Sequence, residues 1–247
     1  MEPLGVAVII PTLNEAQSIT GVVTEIPRDL AHEIIIVDGG SNDGTQAVAR
    51  AAGAQVVVAG ERGYGRACAA GVAAASPECD IIVFMDGDGA DRGDLMARLV
   101  DPIRNGEYDF VIASRARGER QPGSMSWHQL FAGYLAGIGI KALYGVRYTD
   151  MCAYRAIRRK CLDHLGMREM TYGWNIEMQM KAARIALRIL EVPMPYRRRS
   201  GGASKVAGSM RGSLHAAWRI AATFLRVAAA TRSGSPQRCP CGASTTR

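Results

Sequence analysis

Ile81-Ile82-Val83-Phe84-Met85-Asp86-Gly87-Asp88-Gly89 decides how the rest of this chain is read. The apolar run predicts a buried strand, and it stops at two carboxylates spaced i and i+2. Ligands of open α/β sheets lie outside the carboxyl ends of the strands, which places Asp86 and Asp88 where function is expected. Neighbouring carboxylates repel each other unless a cation shares them. Hard divalent ions such as Mg²⁺ bind through one or two carboxylates and complete their shell with waters and phosphates. Gly87 and Gly89 leave room for a ligand to approach the backbone. The competing reading is an ordinary strand-end turn, because Asp-Gly pairs punctuate turns. The surroundings favour the metal–phosphate reading.

Working outward, Val6–Ile10, Ile34–Val37, Gln55–Val58 and Asp109–Ala113 are further short β-branched runs, most of them separated by helical patterns. This alternation predicts an α/β fold with a mainly parallel sheet flanked by helices. Asp43–Ala52 reads as a helix stopped by Gly53, and Arg188–Val192 as a late strand closed by Pro193 and Pro195. At 247 residues and 48% hydrophobic, the chain can bury one sizeable core. The net charge of +7 is carried by arginine: only Lys141, Lys160, Lys181 and Lys205 are lysines. Arginine suits bidentate phosphate recognition and basic membrane surfaces. Nucleic acid is not an expected partner, because no basic–aromatic recognition module is present.

Six cysteines without framework spacing, and no room for a signal sequence before the first strand, predict a cytoplasmic protein. No uncharged apolar run is long enough to span a bilayer. Two segments nonetheless suit a membrane interface. Gln129–Leu143 is apolar with Lys141 its one charge, and Met210–Ala230 sets Leu214, Trp218 and Leu225 among Arg211, His215, Arg219 and Arg226. The alternative for the second is a helix packed on the domain with its arginines in solvent. From Ser233 the composition reads as a disordered tail, in which Cys239 and Cys241 could bind metal but lack further ligands, so that a plain tail is the favoured reading.

Three more strand-end loops carry candidate chemistry. In Val8-Ile9-Ile10-Pro11-Thr12-Leu13-Asn14-Glu15, Thr12 and Asn14 are positioned for a base or ribose, or for capping the next helix. In Ile36-Val37-Asp38-Gly39-Gly40-Ser41-Asn42-Asp43-Gly44-Thr45, Asp38 can accept hydrogen bonds from a base or a ribose hydroxyl. Gly63-Tyr64-Gly65-Arg66-Ala67 opens a helix whose free N–H groups favour a diphosphate.

With these blocks in this order, the chain resembles the family 2 inverting glycosyltransferases, whose nucleotide-diphospho-sugar-binding fold is termed GT-A. Later residues are similar to the polyprenyl-phosphate (dolichol-phosphate) mannosyl- and glucosyltransferase branch: Ala113-Ser114-Arg115, Thr149 to Arg158, Tyr172-Gly173-Trp174-Asn175-Ile176-Glu177-Met178, and Val192-Pro193 followed by Arg199 to Lys205. The resemblance implies Mg²⁺ or Mn²⁺ and the donor diphosphate at Asp86 and Asp88, with Asp91 as a further metal ligand. It implies the nucleoside at Pro11, Thr12, Asn14, Glu15 and Asp38, and the acceptor phosphate or donor diphosphate at Ser114, Arg115, Arg199, Ser204 and Lys205. Where relatives carry Gly-Asn-Arg, this chain has Ala132-Gly133-Tyr134.

The expected reaction moves a hexose, with inversion, from a UDP- or GDP-sugar to a polyprenyl phosphate at the inner membrane face. An ionised phosphate nucleophile needs no strong base, whereas a hydroxyl acceptor does. Asp150 and Glu177 are the candidate bases, with a helix cap and a buried salt bridge as their respective alternatives. The competing functions are a soluble transferase acting on a hydroxyl of a small metabolite or natural product, and a non-catalytic scaffold. The expected organisation is a transferase domain over residues 1–207, an interfacial helix over 208–230 and a tail over 231–247.

Overall fold

The computed structural model describes residues 4–201 and 210–232. Ser204, Lys205 and the Cys239/Cys241 tail, and the side chains of Arg211, Leu214 and His215, lie outside what is described. Seven strands form one sheet: β1 (Val6–Thr12), β2 (Glu33–Asp38), β3 (Gln55–Val58), β4 (Ile81–Phe84), β5 (Phe110–Ser114), β6 (Arg155–Arg158) and β7 (Ile189–Pro193). Their order is β3-β2-β1-β4-β6-β5-β7. All neighbouring pairs are parallel except those of β6, which runs antiparallel to β4 and β5. The helices are α1 (Ile19–Glu25), α2 (Thr45–Ala51), α3 (Tyr64–Ala74), α4 (Ala97–Arg104), α5 (Trp127–Tyr144), α6 (Arg159–Leu165), α7 (Trp174–Arg184) and α8 (Met210–Arg232).

The core lies on the central strands. Val6–Ile10, Ile35–Val37 and Ile81–Val83 are completely buried, as parallel strands covered on both faces must be. Strand order reverses between β1 and β4, and the loops after them meet there. Ser18 Oγ donates to the Gly87 carbonyl at 2.7 Å, tying one loop to the other. Gly71 lets α3 settle onto β1 and β2: a Cβ there would collide with Ile9 and reach 3.0 Å from Val37 Cγ2.

β6 was not anticipated, because its four residues begin and end in arginine and contain no β-branched run. Arg155 is nevertheless fully buried. Its guanidinium donates to the carbonyls of Cys152, Ala153 (3.3 Å) and Asn175 (3.2 Å), joining the start of β6 to the start of α7.

α5 buries Gly133, Gly137 and Ile140, while Trp127, Phe131, Tyr134, Leu135 and Ile138 are about half exposed or more. α8 packs against α7, and the Phe224 ring lies where a Gly139 Cβ would be, 2.6 Å from its Cζ. It buries Thr223 and Val227 and turns Trp218 and Leu225 outward. One face of this helix is packed on the domain, where Arg226 pairs with Glu169 at 2.6 Å, and the other presents apolar side chains.

Gly71→Val should destabilise the fold by about 1–3 kcal/mol through overpacking between α3 and the sheet. A lowered urea midpoint tests this; an unchanged midpoint would contradict the close α3–sheet contact.

Candidate active site

Asp86, Asp88 and Asp91 follow β4 directly, and Asp88 and Asp91 are almost wholly buried. Their arrangement is fixed by backbone amides. Asp91 Oδ2 accepts the Asp86 N–H at 3.1 Å, and Asp88 Oδ1 accepts the Ala90 N–H at 2.9 Å. Burial, and then the charge of Asp88, raises the Asp86 pKa against the pull of Arg115, Arg199 and Arg155. Burial and the charges of Asp86 and Asp88 likewise raise that of Asp91. This is the electrostatic signature of clustered carboxylates that lack a full complement of cations. One cation is already present: Arg199 Nη2 stands 3.0 Å from Asp88 Oδ2.

The donor set therefore fits a hard cation, with one correction. Among the described residues, no group of three His, Cys, Asp or Glu side chains converges on one metal position. Asp91 braces the Asp86 backbone instead of completing a three-carboxylate centre. Asp86 and Asp88 are the residues left to hold a cation, which would take its other ligands from phosphate and water.

The loops after β1 and β2 form a single rim. Asn14, in the left-handed region at φ 53°, donates its N–H to Ser41 Oγ (2.8 Å) and accepts the Asn42 N–H on Oδ1 (3.0 Å). The Glu15 N–H reaches Thr45 Oγ1 (2.9 Å), and the Ala16 N–H reaches Asp43 Oδ2 (3.1 Å). Asp38 is fully buried and accepts from the Gly40 and Ser41 N–H groups, Ser41 Oγ and Gln46 Nε2. Burial acts to raise its pKa, but these hydrogen bonds outweigh it and hold the carboxylate below its usual range. Asp38 thus shapes the turn that a nucleoside would meet. Pro11 and Thr12 sit where β1 opens onto the rim, and Glu15, buried beside them, accepts from Ser18 Oγ at 3.3 Å. Ser41, Asp43 and Thr45 pin the rim together. They fall within the Ile36–Thr45 stretch, but spacing alone does not show their cross-loop partners.

The remaining expectations divide. Arg115 grips Asp150 through its backbone N–H (2.9 Å), Nε (2.8 Å) and Nη2 (2.7 Å), and lies over the Tyr196 ring at 5.1 Å. Burial works against an ionised Asp150, yet the Arg115 charge and hydrogen bonds hold its pKa below the usual range. Asp150 is accordingly a fixed counter-ion, and the expectation of a free base there is corrected. Ser114 is fully buried, with its Oγ 2.7 Å from Thr149 Oγ1, so it belongs to the wall and does not face a phosphate. Glu177 accepts the Arg168 and Glu169 N–H groups and pairs with Lys181 at 2.9 Å, which is its buried salt-bridge alternative.

Gly63 and Gly65 are corrected too. A Cβ at Gly65 would strike the Glu169 carbonyl, and one at Gly63 would lie 2.5 Å from the Met170 carbonyl, which also accepts the Arg66 N–H at 3.0 Å. The glycines admit the 169–170 turn against α3, and that turn occupies the helix end where a diphosphate was expected.

A mainly parallel sheet with paired carboxylates at its switch point is the frame of the GT-A nucleotide-sugar transferases. The chain belongs to glycosyl transferase family 2, whose model matches residues 7–166. It is 34% identical, over 87% of its length and 97% of the relative's, to a Mycobacterium tuberculosis protein described as an uncharacterised glycosyltransferase. It is 31% identical to the undecaprenyl-phosphate mannosyltransferase of Micrococcus luteus, over 84% of this chain and 89% of that one. Among solved structures, glucosyl-3-phosphoglycerate synthase of M. tuberculosis, bound to Mn²⁺, UDP and glucosyl-3-phosphoglycerate, superimposes with a TM-score of 0.70. That match covers 92% of this chain and 80% of that one at 23% identity, a likeness of fold.

Asp150→Asn leaves the buried Arg115 without its counter-charge and should cost about 3 kcal/mol of stability near neutral pH. Because the folded-state pKa of Asp150 is depressed, this contribution is complete above the unfolded value of about 3.9 and is lost as pH falls below it. The gap between wild type and variant, measured by urea unfolding, should narrow below about pH 4. A gap that is absent at pH 7 would overturn the counter-ion role.

Proposed function

We propose that this chain transfers a hexose from a nucleotide-diphosphate sugar to a polyprenyl phosphate while bound peripherally to the cytoplasmic face of a membrane. A divalent cation, Mg²⁺ or Mn²⁺, at Asp86 and Asp88 would offset the negative charge that develops on the departing diphosphate. The rim formed by Pro11–Glu15 and Asp38–Thr45 would seat the nucleoside. Arg199 and Arg115 supply positive potential where the phosphates meet. The likeness to the undecaprenyl-phosphate mannosyltransferase supports the lipid acceptor.

The observation that carries the acceptor assignment is where α5 runs. The Cβ position of Gly133 lies 3.7 Å from Asp150 Cα, so the helix passes directly behind the Arg115–Asp150 pair. Its outward side carries Phe131, Tyr134, Leu135 and Ile138, and α8 beside it adds Trp218 and Leu225. A lipid lying against this face would be separated from the Arg115–Asp150 pair by the thickness of α5 alone. Among the described residues, no helix is long and apolar enough to cross a membrane, so contact would be made from the interface. A phosphate acceptor also agrees with the engagement of Asp150 and Glu177, because an oxygen already ionised near neutrality needs no base.

Incubation with labelled nucleotide sugars and polyprenyl phosphate, followed by organic extraction, tests the reaction. Label should enter the organic phase and should fall at least about a hundredfold, near 2.7 kcal/mol of transition-state stabilisation, in Asp88→Asn or with excess EDTA. Label confined to water-soluble products would favour a small-metabolite acceptor.

For the membrane, the protein should sediment with anionic vesicles at low salt and be released at high salt. The double substitution Trp218→Ser and Leu225→Ser should weaken that binding at least about tenfold. Vesicle binding indifferent to both changes would remove α8 from the account.

A further inference from the structure

Arg199 occupies the oxygen of Asp88 that a metal would need. Asp88 Oδ1 is already taken by the Ala90 N–H, and Oδ2 by the Arg199 guanidinium at 3.0 Å. The strap that carries Arg199 is built to lie there. The Arg197 N–H donates to the Ala90 carbonyl (3.0 Å), and the Ser200 N–H donates to the Asp88 carbonyl (2.9 Å). The Arg197 guanidinium grips Glu25 at 2.9 and 2.6 Å and reaches the Asp91 carbonyl at 2.8 Å. Gly89, at φ 78°, leaves the space that Ser200 fills: a Cβ there would be 2.5 Å from Ser200 Oγ. Residues 197–201 are thereby folded across the carboxylate loop, with Arg199 pointing into it. The next arginine along, Arg198, turns away and donates through Nε to the Pro122 carbonyl at 2.5 Å.

A guanidinium and a divalent ion cannot share one carboxylate oxygen at bonding distance without strong mutual repulsion. We propose that Arg199 is a resident counter-cation which the metal displaces from Asp88, and that displacement frees its guanidinium for the phosphate oxygens of the substrates. Building on the metal reading given above, this assigns Arg199 two successive partners. With the metal absent, it pairs with Asp88 and holds the strap down. With the metal bound, its five donors face incoming phosphate in the planar geometry that suits bidentate recognition. Metal and strap position become coupled, so the phosphate-binding arginine is released only once the donor's cation is in place.

The test is Mn²⁺ binding by the full chain without nucleotide, followed through the EPR signal of free Mn²⁺. Arg199→Gln should bind Mn²⁺ at least about fivefold more tightly than wild type. Arg198→Gln removes the same charge one residue away and should change the affinity less than about twofold. Asp88→Asn should lose the binding, which ties the signal to this site. The same Arg199→Gln protein should show a lower kcat/KM for transfer despite its tighter metal. If Arg199→Gln binds Mn²⁺ no more tightly than wild type, or Arg198→Gln gains as much, the displacement is overturned while the metal site stands. If neither wild type nor Arg199→Gln binds Mn²⁺ without nucleotide, the displacement is overturned, and the metal reading is decided separately by the loss of transfer in excess EDTA.

Discussion

Three carboxylates placed in a few residues at the end of one buried strand repel one another, and much of the surrounding structure can be understood as the response. Asp86, Asp88 and Asp91 cannot move apart, because backbone amides of Asp86 and Ala90 hold two of them and β4 fixes the third. Their charge is offset from several directions: Arg199 from the strap after β7, Arg115 from the end of β5, and Arg155 from beneath. None of these arginines is a neighbour in sequence. The fold brings them in because β6 enters antiparallel between β4 and β5, carrying Arg155, and because β7 returns parallel to β5. A site so arranged is poised for a cation and for the phosphates a cation accompanies.

The same architecture links the site to the apolar surface. The turn at 169–170 is pressed against Gly63 and Gly65 of α3 on one side. On the other, Glu169 accepts from Thr223 Oγ1 (3.0 Å) and Arg226 Nη2 (2.6 Å) of α8. α5 backs the Arg115–Asp150 pair and exposes its aromatic and aliphatic face on its far side. The exposed faces of α5 and α8 are thus joined to the site through packed elements.

Much of this was legible in the sequence, for identifiable reasons. The strands buried on both faces announced themselves as β-branched runs, and β3 matches its expected bounds of Gln55–Val58. Asp86 and Asp88 stand out because they close a buried apolar run at a strand end, although an Asp-Gly turn reads the same way and only the neighbouring loops favour a ligand. What sequence could not convey was which polar groups the protein would satisfy internally. Asp150, Glu177 and Ser114 have side chains equally suited to catalysis and to bracing; the distant partners Arg115 and Thr149, and for Glu177 the Arg168 and Glu169 N–H groups together with Lys181 one turn along its own helix, decide the matter. Gly63 and Gly65 looked like a phosphate cradle because a glycine needed for close approach of a ligand is indistinguishable from one needed for close approach of the chain itself. β6 escaped because a strand whose interior charge is satisfied by carbonyls has no hydrophobic signature.

The central claim is that Asp86 and Asp88 hold the donor's cation once Arg199 has left. A crystal structure with Mn²⁺ and a nucleoside diphosphate, phased to show anomalous scattering from manganese, tests it most directly. The account predicts a single manganese peak between the Asp86 and Asp88 carboxylates and the diphosphate, with Arg199 withdrawn from Asp88 and turned toward phosphate oxygen. A nucleotide bound with no manganese at these carboxylates, or manganese bound there with Arg199 still paired to Asp88, would contradict it.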